Sequence, residues 1–368
     1  MSESEKNTLV DAPASAPEGP AERLVGLVLN DNWMVHERLA RDGGDTGQSR
    51  SSCYRAVSRD GQAAFVKAFD FRQDDRSGDT ERLERNVREF NHERKILEHC
   101  KHLSRVTRIH DSGTVTVADQ AVHFIVCEFA PRSFRSWQPP GETSVPAHER
   151  LRALRKIASA LVQLHGVGVA HQDVKPSNAV CFDGARIKLS DLGSSSCQLL
   201  PSPPHDEDAV VGQPNYAPYE LLYPNAGSST WQRRRFGCDA FLLGNLIFTA
   251  FVGASLTILV LHGIDEKLRP DSCVCNYEDV LPDLITAHFE FVPIFMREFV
   301  PEIVAEDVIR LVLALTHPDP AERGLSRGLL HGERQFDLHR CVGTLNTLAM
   351  RVEVNSRGRK KDLDRSAA

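Results

Sequence analysis

The hydrophobic pattern of this chain changes character once, near Pro131, and that change restricts the possible folds more than any other feature. Between Trp33 and Cys127 the apolar residues form short strand-like runs around one amphipathic helix at 82–100. After Pro131 they recur at helical spacing, first in a strong segment at 148–164. A sheet-rich front and a helix-rich back predict an α+β fold with two lobes.

The predicted elements are short at the front of the chain and long at the back. Asp60 and Gly61 are a typical hairpin turn between two of the front strands. The predicted strands lie at 33–40, 53–57, 64–69, 106–116 and 122–127. Further helices are predicted near 239–252, 281–300, 303–316 and 335–351. The resulting divisions are a disordered leader at 1–22, a front lobe at 23–130, a back lobe at 131–350 and a loose polar tail at 351–368.

Composition and charge narrow the class of protein. The chain has 368 residues, of which 41% are hydrophobic and 26% charged, which is ordinary globular composition. Its net charge of −6 argues against nucleic acid as the main partner. No apolar stretch precedes Pro20, so we expect no signal peptide. The nine cysteines include no CxxC pair, and such scattered thiols indicate a reducing compartment, so we predict a cytoplasmic protein.

One apolar run admits two interpretations. Residues 241–261 carry no charge over 21 positions, which is long enough to span a bilayer. The alternative is a buried core helix that ends at Gly253, because glycine is a common helix stop.

The segment from His171 to Asn178 contains the residues best suited to chemistry. Asp173, Lys175 and Asn178 follow one another closely, and a second acid, Asp191, comes after the next apolar strands. Asp and Asn oxygens are ligands that Mg²⁺ prefers. A further carboxylate can orient an attacking hydroxyl, and a lysine can stabilise charge on a transferring phosphoryl group. The grouping therefore indicates phosphoryl transfer.

This segment resembles the catalytic loop of eukaryotic-type protein kinases, and Asp191-Leu192-Gly193 resembles their metal-binding DFG motif with Leu in place of Phe. The resemblance implies a bilobal kinase fold, with a small β-rich N-lobe that holds one helix and a larger helical C-lobe. It implies Asp173 as catalytic base and Lys175 as the γ-phosphate contact. It also implies Asn178 and Asp191 as Mg²⁺ ligands.

Further matches to the family occur in the same order along the chain. Lys67, in Phe65-Val66-Lys67, resembles the lysine that anchors the ATP phosphates, and Glu93 resembles the helix glutamate that pairs with it. The segment 124–130 resembles the strand that leads into the interlobe linker. By this resemblance Cys127 is the gatekeeper, and the Glu128 carbonyl and the Ala130 amide bind adenine. Val66 and Val180 either enclose the adenine ring or are ordinary core residues.

Downstream matches decide between the two interpretations of the apolar run. Glu220, in Ala217-Pro218-Tyr219-Glu220, resembles the glutamate that closes the activation segment, and Arg323 is its implied partner in a buried ion pair. Asp239 resembles the start of the central helix of the large lobe. The apolar run thus lies inside the domain, before Arg323, so we predict a core helix and no stable membrane span.

Three departures from the family pattern affect activity or its control. The expected glycine-rich loop is irregular, with Gly43, Gly44 and Gly47 as the glycines that can approach phosphate. Gln172 replaces the arginine that receives an activation-segment phosphate, so we predict that activity does not depend on such a phosphate. Gln213 stands where Ser/Thr kinases carry a threonine. The available serines are expected in a mobile loop; they are Ser194, Ser195, Ser196 and Ser202.

The leading hypothesis is an enzyme that transfers the γ-phosphate of ATP, with Mg²⁺, to Ser or Thr hydroxyls of protein substrates. A pseudokinase that keeps the fold as a scaffold is the first alternative, motivated by the irregular glycine loop and by Gln172, Leu192 and Gln213. A small-molecule phosphotransferase of the aminoglycoside or choline kinase kind is the second. Those enzymes use an acid–x–acid second motif, whereas this chain has Asp191-Leu192-Gly193.

Overall fold

The computed structural model divides into two compact units. It describes residues 19–40, 51–69, 71, 80–137, 145–183, 186–208, 210–224, 230–273, 275–325 and 335–366. The first unit consists of the described residues up to Leu83 together with Asp111–Val126, and the second of Glu84–His110 together with the chain from Cys127 onward.

The main element of the first unit is a six-stranded sheet with the strand order β1-β2-β3-β4-β6-β5. The first two residues of β5 and the last two of β6 belong to the second unit. The strands are β1 (Val28–Leu29), β2 (Trp33–Arg38), β3 (Ser51–Ser58), β4 (Ala63–Phe69), β5 (Ile109–Val117) and β6 (Gln120–Glu128). The predicted hairpin is β3–β4, and Gly61 has a φ of +82° at its turn, where glycine is favoured. The five predicted strands are therefore confirmed, with boundaries that differ by a few residues.

The core of this unit follows from strand alternation. Every second residue of β3 and β4 points to one face, and Tyr54, Ala56, Ala64 and Val66 are fully buried there. The Tyr54 hydroxyl donates to the carbonyl of Ala21 at 2.5 Å. Ala21 and Leu24 belong to the same core, so the sheet-covering segment begins before residue 23. The predicted leader at 1–22 is thus wrong for its last residues, while 1–18 lie outside the described part of the chain.

The second unit is mainly helical. Its helices are α1 (Thr80–Cys100), α2 (Phe134–Trp137), α3 (Ala147–Gly166), α4 (Trp231–Val252), α5 (Leu256–Gly263), α6 (Tyr277–Phe299), α7 (Glu302–Leu315) and α8 (His339–Ser366). Two small sheets accompany them, formed by β7 (Arg132–Ser133), β8 (Val169–Ala170), β9 (Ala179–Phe182), β10 (Arg186–Leu189) and β11 (Ser196–Cys197). Their strand orders are β10-β9-β7 and β11-β8.

Helix α4 is the central element of the second unit. The Thr230 side chain caps its N-terminus, and Gly253, with a φ of +87°, ends it as predicted. The helix is long and apolar enough to cross a membrane, but 89% of its most apolar window is buried in the protein. Packing against α3, α6 and α7 accounts for that burial, which confirms the predicted core helix.

Two predicted boundaries are wrong. Residue 130 is not a simple boundary between the two units, because most of α1 belongs to the second unit. There Arg85 contacts Asp208, and His92 contacts Ser195. The tail from 351 is not loose, since α8 continues to Ser366. Val352 is buried, and the ion pairs of Glu353 with Arg152 and Arg357 support the helix at this point.

Seven of the cysteines are free thiols, and most of these are buried in the protein.

Candidate active site

One carboxylate of helix α4 holds the loop at 171–178 in place. Asp239 is fully buried and accepts from the backbone amides of His171 at 2.8 Å and Gln172 at 2.7 Å. His165 donates to the same side chain at 2.8 Å. These bonds hold Gln172 at a φ of +62°, a left-handed conformation that a non-glycine residue adopts only when its surroundings fix it. The loop geometry therefore depends on the core of the second unit.

Asp173 is the centre of a buried polar cluster. Its Oδ2 accepts from the Asn178 side-chain amide at 2.8 Å and lies 3.0 Å from the Lys175 ammonium. All three side chains are buried, and burial raises the pKa of Asp173 above its usual range although the Lys175 charge opposes this rise. A carboxylate in this position can accept a proton from a bound hydroxyl, with Lys175 placed to stabilise nearby negative charge.

Strand pairing brings the second acid to the same place. Strands β9 and β10 are antiparallel, with Ala179 opposite Leu189, so Asn178 and Ser190 leave the sheet side by side. Ser190 donates to the Asn178 carbonyl through its amide at 2.9 Å and its hydroxyl at 3.1 Å. Asp191 follows directly, exposed and with a φ of +60°. Asn178 and Asp191 therefore leave the same edge of this sheet, and their shared role as Mg²⁺ ligands stays a prediction.

Glu93 approaches the same segment from α1. It is 5% exposed, and its Oε2 lies 3.2 Å from the position that a Cβ at Gly193 would occupy. An Asp191 oxygen lies 3.5 Å from that position. Gly193 thus lets a helix carboxylate and the Asp191 side chain approach one stretch of backbone.

The donor set fits Mg²⁺. Asn178 uses its NH₂ group on Asp173, both at the carboxylate and at the backbone carbonyl, which leaves its amide oxygen as the group suited to a metal. Asp191 adds an exposed carboxylate. An amide oxygen and a carboxylate are hard ligands, and Mg²⁺ commonly binds one or two such protein groups together with substrate phosphates.

The segment that precedes Glu220 returns to Asp173 at Gly212. The backbone amide of Gln213 donates to Asp173 Oδ1 at 3.3 Å. Gly212 has a φ of +84°, and a Cβ there would lie 2.7 Å from the Gln172 carbonyl and 2.9 Å from Asp173 Oδ1. Only glycine allows this close approach.

We expect Gly212→Ala to lower phosphoryl transfer by about 10²-fold, because an added methyl group forces the segment away from Asp173 and small misplacements near a reacting group are costly. The measurement is kcat for a protein acceptor. Gly61→Ala is the matched control, since Gly61 has a similar φ of +82° but no atom within 4 Å of the added Cβ. Equal effects of the two variants would show that backbone strain alone is responsible.

The residues implied in adenine binding lie at the end of β6 and on β9. The Glu128 carboxylate accepts from Lys188 at 2.5 Å and from the Arg108 amide at 3.0 Å. Burial raises the pKa of Glu128, but these bonds outweigh burial and the pKa falls below its usual range. Ala130 and Val180 are partly buried, and their contacts with adenine stay predictions.

The residues before 83 that were implied in ATP binding differ in where the structure places them. Lys67 lies on β4, partly exposed, with its ammonium 5.3 Å from the Phe69 ring centroid. Val66 is 0% exposed in the core and, by strand alternation, faces away from Lys67, so the core alternative holds for it. Phe65 shares the Lys67 face. The glycines of the irregular loop, Gly43, Gly44 and Gly47, lie outside the described residues.

The serines after Asp191 are not in an exposed loop. Ser195 and Ser196 are 0% and 1% exposed, because Gln172 donates to the Ser194 carbonyl and the Ser196 hydroxyl, each at 2.8 Å. The prediction of a mobile segment is wrong for these residues, while Ser202 is exposed. Gln172, singled out only for the arginine it replaces, thus has structural partners that no short motif indicates.

The predicted ion pair between Glu220 and Arg323 is present. Two parallel bonds join the side chains at 2.6 and 2.8 Å, and Arg323 also donates to the carbonyls of Gly237, His317 and Pro318. Its guanidinium lies 5.0 Å from the Phe241 ring centroid. Arg323 is 1% exposed, so the charge is fully enclosed and fully partnered.

Comparison with known proteins agrees with this arrangement. The protein kinase domain model matches residues 46–328, more than half of the chain. Over 226 residues the chain is 26% identical to serine/threonine-protein kinase/endoribonuclease IRE1b of Arabidopsis thaliana, which covers 59% of the chain and 22% of that protein. It is 25% identical over 165 residues to serine/threonine-protein kinase PTK2/STK2 of Saccharomyces cerevisiae, covering 42% and 20% respectively. The chain thus matches about a fifth of the length of these relatives, and it belongs to the protein kinase family.

Proposed function

We propose that this chain is an ATP-dependent protein kinase that phosphorylates Ser or Thr hydroxyls. The observation that supports this most is the buried cluster of Asp173, Lys175 and Asn178 with Asp191 beside it. The set of chemical groups that the reaction needs is complete in sequence, since Lys67 and Glu93 are present as well as these four residues, and this supports an active enzyme ahead of a scaffold.

Each residue of the cluster has a role in the proposal. Asp173 accepts the proton of the acceptor hydroxyl, and Lys175 stabilises charge on the transferring group. Asn178 and Asp191 hold Mg²⁺. Bound ATP supplies the phosphoryl group, which transfers with little covalent involvement of the protein. Outside the cluster, Lys67 anchors the phosphates and Glu93 is the proposed partner of that lysine, while the backbone of Glu128 and Ala130 binds adenine.

Two observations support hydroxyl acceptors on proteins. The relatives compared above are named as serine/threonine-protein kinases. Lys175 lies 3.0 Å from the base, as in the Ser/Thr type of catalytic loop that the sequence resembles. We therefore propose Ser and Thr ahead of Tyr and ahead of small-molecule amines or alcohols.

The test is label transfer from γ-labelled ATP, with Mg²⁺, to a basic protein acceptor and to the chain itself. We expect phosphoserine or phosphothreonine with the wild type, no transfer after chelation of Mg²⁺, and no transfer with Asp191→Ala. Asp183→Ala is the matched control, because Asp183 is an exposed aspartate just after β9. Calorimetry measures ATP binding separately from transfer.

Other results would favour the alternatives. ATP binding without transfer to protein, to the chain itself or to a panel of amines and alcohols would indicate a pseudokinase. Transfer to a member of that panel and not to protein would indicate a small-molecule phosphotransferase.

A further inference from the structure

The side chain of Gln172 links three parts of the second unit. Its NH₂ group donates to Ser194 and Ser196, just after Asp191, and its Oε1 accepts from Arg235 at 2.6 Å. Gln172 directly precedes Asp173 and is 1% exposed. A displacement of this amide would therefore disturb both the base and the segment that follows the metal-binding acid.

Arg235 needs a negative partner. It lies in the first turns of α4 and is 7% exposed, and an unpaired cation at such a site is strongly unfavourable. Asp206 in the activation segment forms an ion pair with its Nη2, while Nη1 donates to Gln172. Asp206 thus neutralises the cation that orients Gln172.

The stretch around Asp206 has further attachments to α1. Arg85 binds Asp208 through two bonds of 2.6 and 2.8 Å, and the rings of His92 and His205 pack edge to face with centroids 5.7 Å apart. His92 also donates to the Ser195 carbonyl at 2.9 Å. Arg85 and Asp208 are about 40% exposed, so their pair contributes little compared with the enclosed Arg235.

We propose that Asp206 and Arg235 are positioning residues that hold the catalytic loop and the segment after Asp191 in register through Gln172. A carboxylate of the chain itself supplies the negative charge at this place, so no phosphorylated residue is required between Asp191 and Glu220. This inference rests on the proposed kinase function for its catalytic readout, but the contacts themselves are testable without it.

The first experiment compares Asp206→Asn with the wild-type full chain. We expect kcat to fall by about 10²-fold with the KM for ATP nearly unchanged, because positioning is lost while the nucleotide contacts remain. Hydrogen exchange of residues 194–208 should become faster, and Asp206→Glu should restore most of the activity. Asp307→Asn is the matched control, since Asp307 pairs with Arg310 and Arg351 away from this network.

A double variant tests the linkage. If Asp206 acts through Arg235, then Asp206→Asn combined with Arg235→Gln is no less active than Arg235→Gln alone. Treatment of the wild type with a protein phosphatase should leave its activity unchanged. The inference would be overturned if Asp206→Asn had the same kcat and the same hydrogen exchange as the wild type. Loss of wild-type activity after phosphatase treatment would overturn it as well. An inactive wild type contradicts the proposed function instead, and the exchange comparison then still decides whether Asp206 holds the segment.

Discussion

Replacing Asp173 with Asn is expected to lower kcat by about 10³-fold, within the range typical of a lost general base. Asn has the same shape but cannot accept the hydroxyl proton. Its oxygen can still accept from Asn178 and Lys175, so most of the cluster remains. The change also has a cost to structure, because the buried Lys175 ammonium loses the Asp173 charge and the Gln213 amide, 3.3 Å from Asp173 Oδ1, would face an Asn NH₂ group.

Steady-state kinetics with a protein acceptor measures this effect, and calorimetry shows whether ATP affinity is retained. Asp183→Asn is the control, because it makes the same chemical change at an exposed aspartate on the same stretch of chain. A variant that binds ATP normally and loses only transfer supports Asp173 as the base. Near-normal kcat in Asp173→Asn would remove Asp173 from that role.

The second large effect concerns stability. Glu220→Gln leaves the enclosed Arg323 cation without a counter-charge, and breaking one partner of a buried pair costs about 3–5 kcal/mol. In a protein of this size that loss lowers the Tm by roughly 5 °C. Although burial alone lowers the pKa of Arg323, the Glu220 charge outweighs burial and the pKa rises, so the arginine stays charged.

Thermal and denaturant unfolding measure this change. Glu306→Gln is the control, because Glu306 also pairs with an arginine, Arg297, but both side chains are exposed. We expect no measurable shift for the control. A double change of Glu220 and Arg323 to apolar residues of similar size should recover part of the lost stability, because no charge then remains buried. A single variant as stable as the control would show that the pair contributes little.

Local patterns were sufficient to predict most of the fold. The strand alternation at 53–69 and the helical spacing at 148–164 have short-range causes, and both elements formed where predicted. The same is true of Gly253, whose left-handed conformation ends α4. The cluster of Asp173, Lys175 and Asn178 was also predictable, because all three residues lie in one loop of eight residues.

Contacts between distant segments were not predictable in this way. Arg235 and Asp206 are 29 positions apart, and Arg235 reaches Gln172 over 63 positions. No local pattern distinguishes these side chains from solvated surface charges. The assignment of most of α1 to the second unit depends on similar contacts, made by His92 and Arg85, and the start of the predicted tail is held by the ion pair of Glu353 with the distant Arg152.

The position of Asp239 on α4 has a consequence for how this protein tolerates insertions. Its carboxylate accepts hydrogen bonds from two consecutive loop amides at 2.7 and 2.8 Å. The loop position therefore depends on where Asp239 lies around the axis of that helix. One added residue between Thr230 and Asp239 would rotate the carboxylate about the helix axis by about 100°. The far end of the helix is constrained as well, because Asn245 bonds to the buried Ser255, Leu256 and Thr257 just after Gly253. Length changes within the first turns of this helix are therefore expected to displace the loop.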